Sequence, residues 1–431
     1  MTDVETCQER DIWDEERSYT DEALRKRRTE GASFVSRPPR IESGELRPSV
    51  FVFVVPFYGH VGPLLPLVRE LVNRGFAVRV YTGSEMREKV EKTGAACISY
   101  DAYYEMGKSP ERRAYGFLRM LEMAESMDET IGVDVRTFKP RFAIVDTLSV
   151  WGRLLAEKHG LRIVLSSATR IMNRETIPED FGDYFTKLWL DEKEIGERLL
   201  CLSDKGFKGH TCLSLVTPGT DTDCIVYIPE ELQGKNQSIN RDRIFFAGYS
   251  QDPMQEAPRT GEKGKRPLIY VTLGTVSSRS AWFFRSAIAA LRTMDVDVVM
   301  AVWNYIDIGM LGKIPDNIRV VREVDQAEIL QKADMALFHA GLNTIRDCLL
   351  CGVPMAVCPM EADQFGNARM VEETGVGIVL DDHRPGTLRS AAASILTEPA
   401  FRESAKALGE RMRAMGGAAG AAAWICERMG F

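Results

Sequence analysis

The chain is poor in the features that mark specialised protein classes. None of its 431 residues lies in an apolar run approaching 18 positions, which argues against a membrane span. The opening residues hold no apolar segment of signal-peptide length, so secretion is not indicated. Nine cysteines in a chain of this size make no disulfide framework, and a reducing, cytoplasmic setting is the simplest expectation. The formal net charge is −7, without a basic footprint for nucleic acid. Five histidines are few for this length, so the position of each is informative. The first strand-turn-helix lacks Gly-x-Gly-x-x-Gly, which argues against an ordinary NAD site. What remains is ordinary soluble material, 45% hydrophobic and 27% charged, long enough for two domains.

The most informative stretch runs from Asp334 to Asn367, DMALFHAGLNTIRDCLLCGVPMAVCPMEADQFGN. Its pattern predicts a buried strand at Met335–Phe338 and a helix from Asn343 or Thr344 to Cys351, stopped by Gly352 and Pro354. A second strand, Met355–Cys358, leads to a polar loop with Glu361, Asp363 and Gln364. In an open parallel sheet, ligands bind where strands end and helices begin. A helix N-terminus suits an anion, and Gly341 lets a ligand approach the backbone. His339, Asn343 and Thr344 add donors around that point. Asp347 lies one turn further along the helix, where a carboxylate suits sugar hydroxyls. Asp363 and Gln364 form another pair for hydroxyl groups. Phosphate, ribose and a second sugar in that order describe a nucleotide-sugar. Cys348 and Cys351 form a Cys-x-x-Cys inside the helix, where packing is the expected role.

The rest of the chain is organised around two alternating strand-helix units, an α/β architecture of two Rossmann-like parallel sheets facing a cleft. Residues 1–48 are charged, short of aliphatics and expected to be a flexible arm with a short helix at Asp21–Arg28. An acceptor domain is expected at 49–249, a Pro, Gly and Lys-rich linker at 250–266, a nucleotide-sugar domain at 267–415, and a C-terminal helix at 416–431 that packs back on the first domain. Val50 opens a continuous apolar strand, VFVFVVPF. Tyr58–Gly62 breaks it, and Pro63 is placed to start a helix ending near Asn73. Strands are expected at Phe76–Tyr81, Arg141–Val145, Ile163–Ser166 and Cys224–Ile228 in the first domain. The second carries Leu268–Leu273, Val296–Val302, Ile318–Val321 and Val376–Leu380 beside the two already named. Residues 100–130 and 170–220 read as less regular. Their aromatics and methionines either pack a core or line an apolar ligand, and Phe57, Tyr58, Tyr103, Tyr115 and Phe117 are the candidate acceptor contacts.

The chain resembles the GT-B glycosyltransferases that use UDP-sugars, the superfamily of plant natural-product, macrolide and glucuronosyl transferases. The resemblance rests on the donor signature at 323–367 and on Pro56-Phe57-Tyr58-Gly59-His60-Val61-Gly62-Pro63, with weaker support from Phe246-Ala247-Gly248 and the Gly274-Thr275 loop. It spans the chain from about residue 50 onward, and the arm resembles nothing in the family. The resemblance implies an inverting, metal-independent transfer from a nucleotide-sugar, UDP-glucose above all, to a hydroxyl of a small lipophilic acceptor. No Asp-x-Asp lies in the donor stretch; Asp221-x-Asp223 is expected in a remote loop. His60 stands where the family has its base, and Asp146 where it has the acid that orients it. A histidine at a helix start is expected to be held neutral by the positive helix end. By the same resemblance, His339, Asn343 and Thr344 meet the diphosphate, Asp347 the ribose, and Asp363 and Gln364 the transferred sugar. Gly274, Thr275, Val324, Gln326 and Gly341 complete the donor set. Asp347 replaces a longer Glu. The base-binding loop, Trp-x-Pro-Gln in the family, is Glu323-Val324-Asp325-Gln326 here, without Trp or Pro. Trp303 and Tyr305 are candidate replacements for the ring. An epimerase acting on nucleotide-sugars, or a non-catalytic partner protein of the same fold, are the alternatives.

Overall fold

The computed structural model describes residues 47–101, 113–174, 176–177, 193–234, 239–249, 266–274, 280–303 and 306–431, with side chains in the second segment from 116 onward. The expected arm, its short helix, most of the linker, Tyr103, Thr275 and Tyr305 lie outside these residues, as does the side chain of Tyr115.

Two parallel sheets carry the described chain. The first holds β1 (Ser49–Phe53), β2 (Ala77–Thr82), β3 (Ala96–Ser99), β4 (Pro140–Asp146), β5 (Ile163–Ser167), β6 (Asp223–Val226) and β7 (Ile244–Phe246). Their spatial order is β3-β2-β1-β4-β5-β6-β7. The second holds β8 (Leu268–Thr272), β9 (Asp297–Ala301), β10 (Ile318–Val321), β11 (Met335–Phe338), β12 (Met355–Val357) and β13 (Gly377–Val379), ordered β10-β9-β8-β11-β12-β13. In each sheet the chain first builds outward on one side, then returns to build on the other. The reversal falls between β1 and β4 in one sheet and between β8 and β11 in the other. Such switch points leave a crevice at the strand ends.

The apolar run of β1 alternates between two cores. Phe51 and Phe53 pack with Tyr81, Trp151 and Leu121, while Val50 and Val52 pack with Val68, Leu71 and Phe142 on the opposite face. Burial on both faces is why this strand reads as continuous rather than alternating hydrophobicity. The C-terminal helix, α6 (Gly417–Met429), closes the second face of the first sheet with Ala421, Ala422 and Ile425. Trp424 lies 5.7 Å from Phe245, and Phe431 lies 5.1 Å from Phe76, between ring centroids.

Three expectations are corrected. The helix after β1 is α1 (Tyr58–Asn73), starting five positions before Pro63, which sits inside it with Pro66. Phe57 is extended (φ −98°, ψ 130°) and forms its N-terminal boundary. Residues 113–138 form a 26-residue helix rather than an irregular stretch, and Leu121, Ala124, Met127 and Ile131 form its buried stripe. Asp223 opens β6 and pairs with Arg243 at 3.2 Å rather than lying in a loop. Strand β3 was not anticipated; with four residues it leaves little pattern.

The second sheet's helix α4 (Leu342–Leu350) carries Arg346, which is 4% exposed. Its guanidinium donates to the Tyr227 carbonyl at 3.1 Å, just beyond β6 of the first sheet, and to Asn343 Oδ1. Replacing it with Met keeps the stem but strands a buried carbonyl and amide oxygen. Arg346→Met is expected to lower the unfolding free energy on the order of 1–3 kcal/mol, seen as a lower urea midpoint; an unchanged midpoint contradicts this role.

Candidate active site

The two predicted reactive side chains come together at the first switch point. Asp146 is the last residue of β4, next to β1 in register, and His60 lies in the first turn of α1 after β1. His60 Nδ1 and Asp146 Oδ2 are 2.8 Å apart, with the two side chains 12% and 1% exposed. The other carboxylate oxygen, Oδ1, accepts the Leu148 amide at 3.0 Å. Asp146 therefore turns the chain toward α2 (Val150–Lys158) and holds the imidazole at once. Burial favours the neutral ring, but the charge and hydrogen bond of Asp146, with the charge of Asp363, raise His60 above its ordinary value. The direction is therefore opposite to the expected lowering, because Asp146 and Asp363 together outweigh burial of the ring.

The second switch point brings together Gly274, His339 and Gly341. Gly274 follows β8 and His339 follows β11. A Cβ on Gly274 would lie 2.7 Å from the His339 ring, and one on Gly341 would lie 2.6 Å from Nε2. Both glycines are thus required by the close approach of the imidazole. Burial pushes His339 down to about 4, against a weaker pull from Glu361. Its Nδ1 is buried without a hydrogen-bond partner. The ring stays neutral, so it can donate or accept at a ligand without carrying charge.

Asp347 and Gln326 meet directly. Gln326, the first residue of α3 (Gln326–Lys332), donates through Nε2 to Asp347 Oδ2 at 2.6 Å. Asp325 stands where the family has proline and caps α3 by accepting the Glu328 amide at 3.0 Å. Asp363 Oδ2 accepts from Asn367 Nδ2 at 3.0 Å, and the same amide group donates to the Ala340 carbonyl at 3.1 Å. Ala340 (φ 62°) and Ala362 (φ 52°) are left-handed without being glycine, a strain of order 1–3 kcal/mol each that tends to gather at functional sites. Gln364 heads α5 (Gln364–Glu373) and turns Oε1 back onto the Met360 and Glu361 amides at 2.8 and 3.1 Å.

The two halves touch through a proline effect. Pro63 has no N–H for the Gly59 carbonyl four residues earlier, and Asn343 Nδ2 donates to that carbonyl at 3.3 Å. A proline inside α1 thus opens an acceptor that α4 of the second sheet uses.

With this geometry in view, the comparisons are consistent. Residues 285–423 match the family model described as "Erythromycin biosynthesis protein CIII-like, C-terminal domain". The chain is similar to the NDP-glycosyltransferase YjiC of Bacillus licheniformis, 27% identical over 387 residues, covering 86% of this chain and 96% of that protein. It is 26% identical to the oleandomycin glycosyltransferase of Streptomyces antibioticus over 397 residues, 85% and 88% of the two chains. The crystal structure of the glycosyltransferase of kitacinnamycin superposes with a TM-score of 0.75 at 26% identity, over 91% of this chain and 99% of that one. Over most of its length the chain is thus similar to glycosyltransferases of the natural-product type. Its two sheets are those of the GT-B fold.

The remaining predicted residues divide. Thr344 is 5% exposed and lies in α4. Val324 is half-buried ahead of α3. Trp303, in the left-handed region at φ 55°, is tied to Arg322 by its own amide at 2.8 Å and by its carbonyl at 3.1 Å. That places it beside the start of the Glu323–Gln326 loop. Phe57 stands with its ring 6.1 Å from that of His60, and Tyr58 is exposed. Phe117 is 5% exposed and packs in the first sheet's core. Three participants were missed: Arg346, Asn367 and Arg170, a buried cation whose charge acts on Asp363. The first two carry a sequence signal, at three residues from Asn343 and four from Asp363.

The His60 imidazole is expected to titrate above, and that of His339 well below, the ordinary value near 6.5. Asp146→Asn removes the charge that raises His60, so its titration moves to lower pH while that of His339 stays. Histidine-resolved NMR titration checks this; a His60 titration indifferent to Asp146→Asn contradicts it.

Proposed function

We propose that the protein is an inverting glycosyltransferase that moves a hexose from a uridine-diphosphate sugar, UDP-glucose foremost, to a hydroxyl of a small lipophilic acceptor in the cytoplasm. The observation that carries this reading is the 2.8 Å pairing of His60 with Asp146, set so that Asp363 of the other half acts electrostatically on the same imidazole. A base fixed by its own carboxylate and close to a sugar-type acid is what a direct displacement at an anomeric carbon requires.

With Nδ1–H donating to Asp146, the neutral ring keeps its lone pair on Nε2. That nitrogen takes the proton of the acceptor hydroxyl as the oxygen attacks the anomeric carbon. The bond from that carbon to the diphosphate oxygen breaks, and the diphosphate leaves with the electron pair. Attack and departure on opposite faces invert the centre. Asp146 stabilises the imidazolium that forms, as the acid of a hydrolase triad does. The first turn of α4, with Asn343 and the neutral His339 ring, receives the diphosphate, whose charge the helix end favours. Asp347, held by Gln326, binds the ribose, and Asp363 with Gln364 binds the transferred sugar.

His60→Ala is expected to lower kcat by about 10²–10⁴-fold, the usual contribution of a positioned base, with donor affinity largely kept. A folded His60→Ala protein that retains most of its transfer rate overturns the base assignment, and donor turnover without acceptor points to an epimerase instead. The acid limb of kcat/KM is expected above the ordinary imidazole range, because activity needs the neutral ring and His60 is raised. In Asp146→Asn that limb moves to lower pH while the plateau rate falls.

A further inference from the structure

The loop at Glu323–Gln326 presents no aromatic face. Glu323 is exposed, Val324 is half-buried, and Asp325 spends its carboxylate on capping α3. Across the cleft stands Tyr58, the first residue of α1, 48% exposed. Its surroundings hold the ring in place. Lys89 Nζ lies 4.1 Å from the ring centroid, a cation–π contact. The ring lies back along α1 over Gly62, where a Cβ would meet it at an ordinary contact distance of 3.7 Å. The next residue, Gly59, offers the carbonyl freed by Pro63 to Asn343. Tyr58 is therefore anchored one position from a direct bond to α4. Burial raises its hydroxyl above the ordinary value, and the charges of Asp347 and Asp325 add to this. Both carboxylates belong to the second half, so the phenol is within electrostatic reach of the Asp347–Gln326 pair.

We propose that Tyr58 is a donor-side residue whose ring covers the nucleoside of the nucleotide donor from the first domain, providing the aromatic face that the Glu323–Gln326 loop lacks. This rests on the nucleotide-sugar reading above, and it moves Tyr58 out of the acceptor set expected from the sequence. The chemistry of the surroundings selects the nucleoside over the phosphates. The carboxylates of Asp347 and Asp325 act on the phenol and disfavour a diphosphate at its hydroxyl, while Asp347 can still accept ribose hydroxyls. With Lys89 over one face of the ring, the exposed remainder takes the flat face of a base. Stacking of this kind tolerates different bases, because every base offers a π-face. Uracil and thymine should therefore gain about equally from Tyr58.

The test is calorimetric titration of the full-length protein and its Tyr58→Ala and Tyr58→Phe variants with UDP, thymidine diphosphate and inorganic pyrophosphate. Tyr58 is exposed, and Tyr58→Phe keeps the ring as a check on folding. Tyr58→Ala is expected to weaken both nucleotides by about tenfold, in the range that loss of one stacked aromatic produces. Pyrophosphate binding should be unchanged, and Tyr58→Phe should bind both nucleotides nearly as the parent does. Tyr58→Ala binding UDP and thymidine diphosphate as tightly as the parent overturns the proposal. So does a raised acceptor KM with unchanged nucleotide affinity, which returns Tyr58 to the acceptor pocket. A parent protein that binds neither nucleotide overturns the donor reading itself, a result distinct from failure at Tyr58 alone.

Discussion

The site is assembled from two sheets that share no strand, so everything in it depends on contacts that hold their ends in register. Arg346 is the most demanding of these. A buried guanidinium is costly unless its N–H groups are used, and this one uses them on Tyr227 in the first half and Asn343 in its own. Burial lowers its ionisation, with Asp347 and Tyr227 opposing that. The same side chain thus ties the mutual position of the sheets to the orientation of Asn343. Asn343 in turn spends its amide group on Gly59, one residue from His60. Both of these bonds involve a residue of the candidate site or its neighbour.

Two histidines in one cleft are tuned in opposite directions. His60 and His339 both follow a strand at a switch point and both are largely buried, yet one is raised and the other falls to about 4. Desolvation acts on both toward the neutral form. The difference is the company each keeps. His60 has a bonded carboxylate and a second charge across the cleft, while His339 is enclosed by two glycines and has only the weaker influence of Glu361. One ring sits beside anions that favour its charged form; the other stays uncharged in a dry niche.

Much of this was legible in the sequence because parallel sheets write their strands as unbroken apolar runs. β8, β10 and β11 begin where the hydropathy places them, and β4 extends one residue beyond the expected strand at each end, to Pro140 and Asp146. The strand-turn-helix at Asp334–Asn367 differs from expectation by a residue or so at its borders. Legibility fails where an outcome depends on residues distant in the chain. The direction of the His60 shift depends on how burial weighs against Asp146 and, to a lesser degree, Asp363. The start of α1 was misplaced because proline is a good first-turn residue, and the contact that makes Pro63 useful inside the helix lies on α4. The helix at 113–138 was missed since Gly116 and Gly132 interrupt it and methionine and alanine share its buried stripe with larger residues. Arg346 and Asn367 sit at helical spacing from predicted site residues, but polar side chains at such positions read as solvent-facing until the fold encloses them.

The last helix gives the first sheet a late dependency. The chain leaves that sheet after β7, builds the second, and then returns in α6 and the Phe431 that follows it to lie against Phe245, Phe76 and Phe142. The sheet that carries His60 and Asp146 is therefore covered on one face by residues that come last in the sequence. Losing α6 would bare that face although it removes no strand.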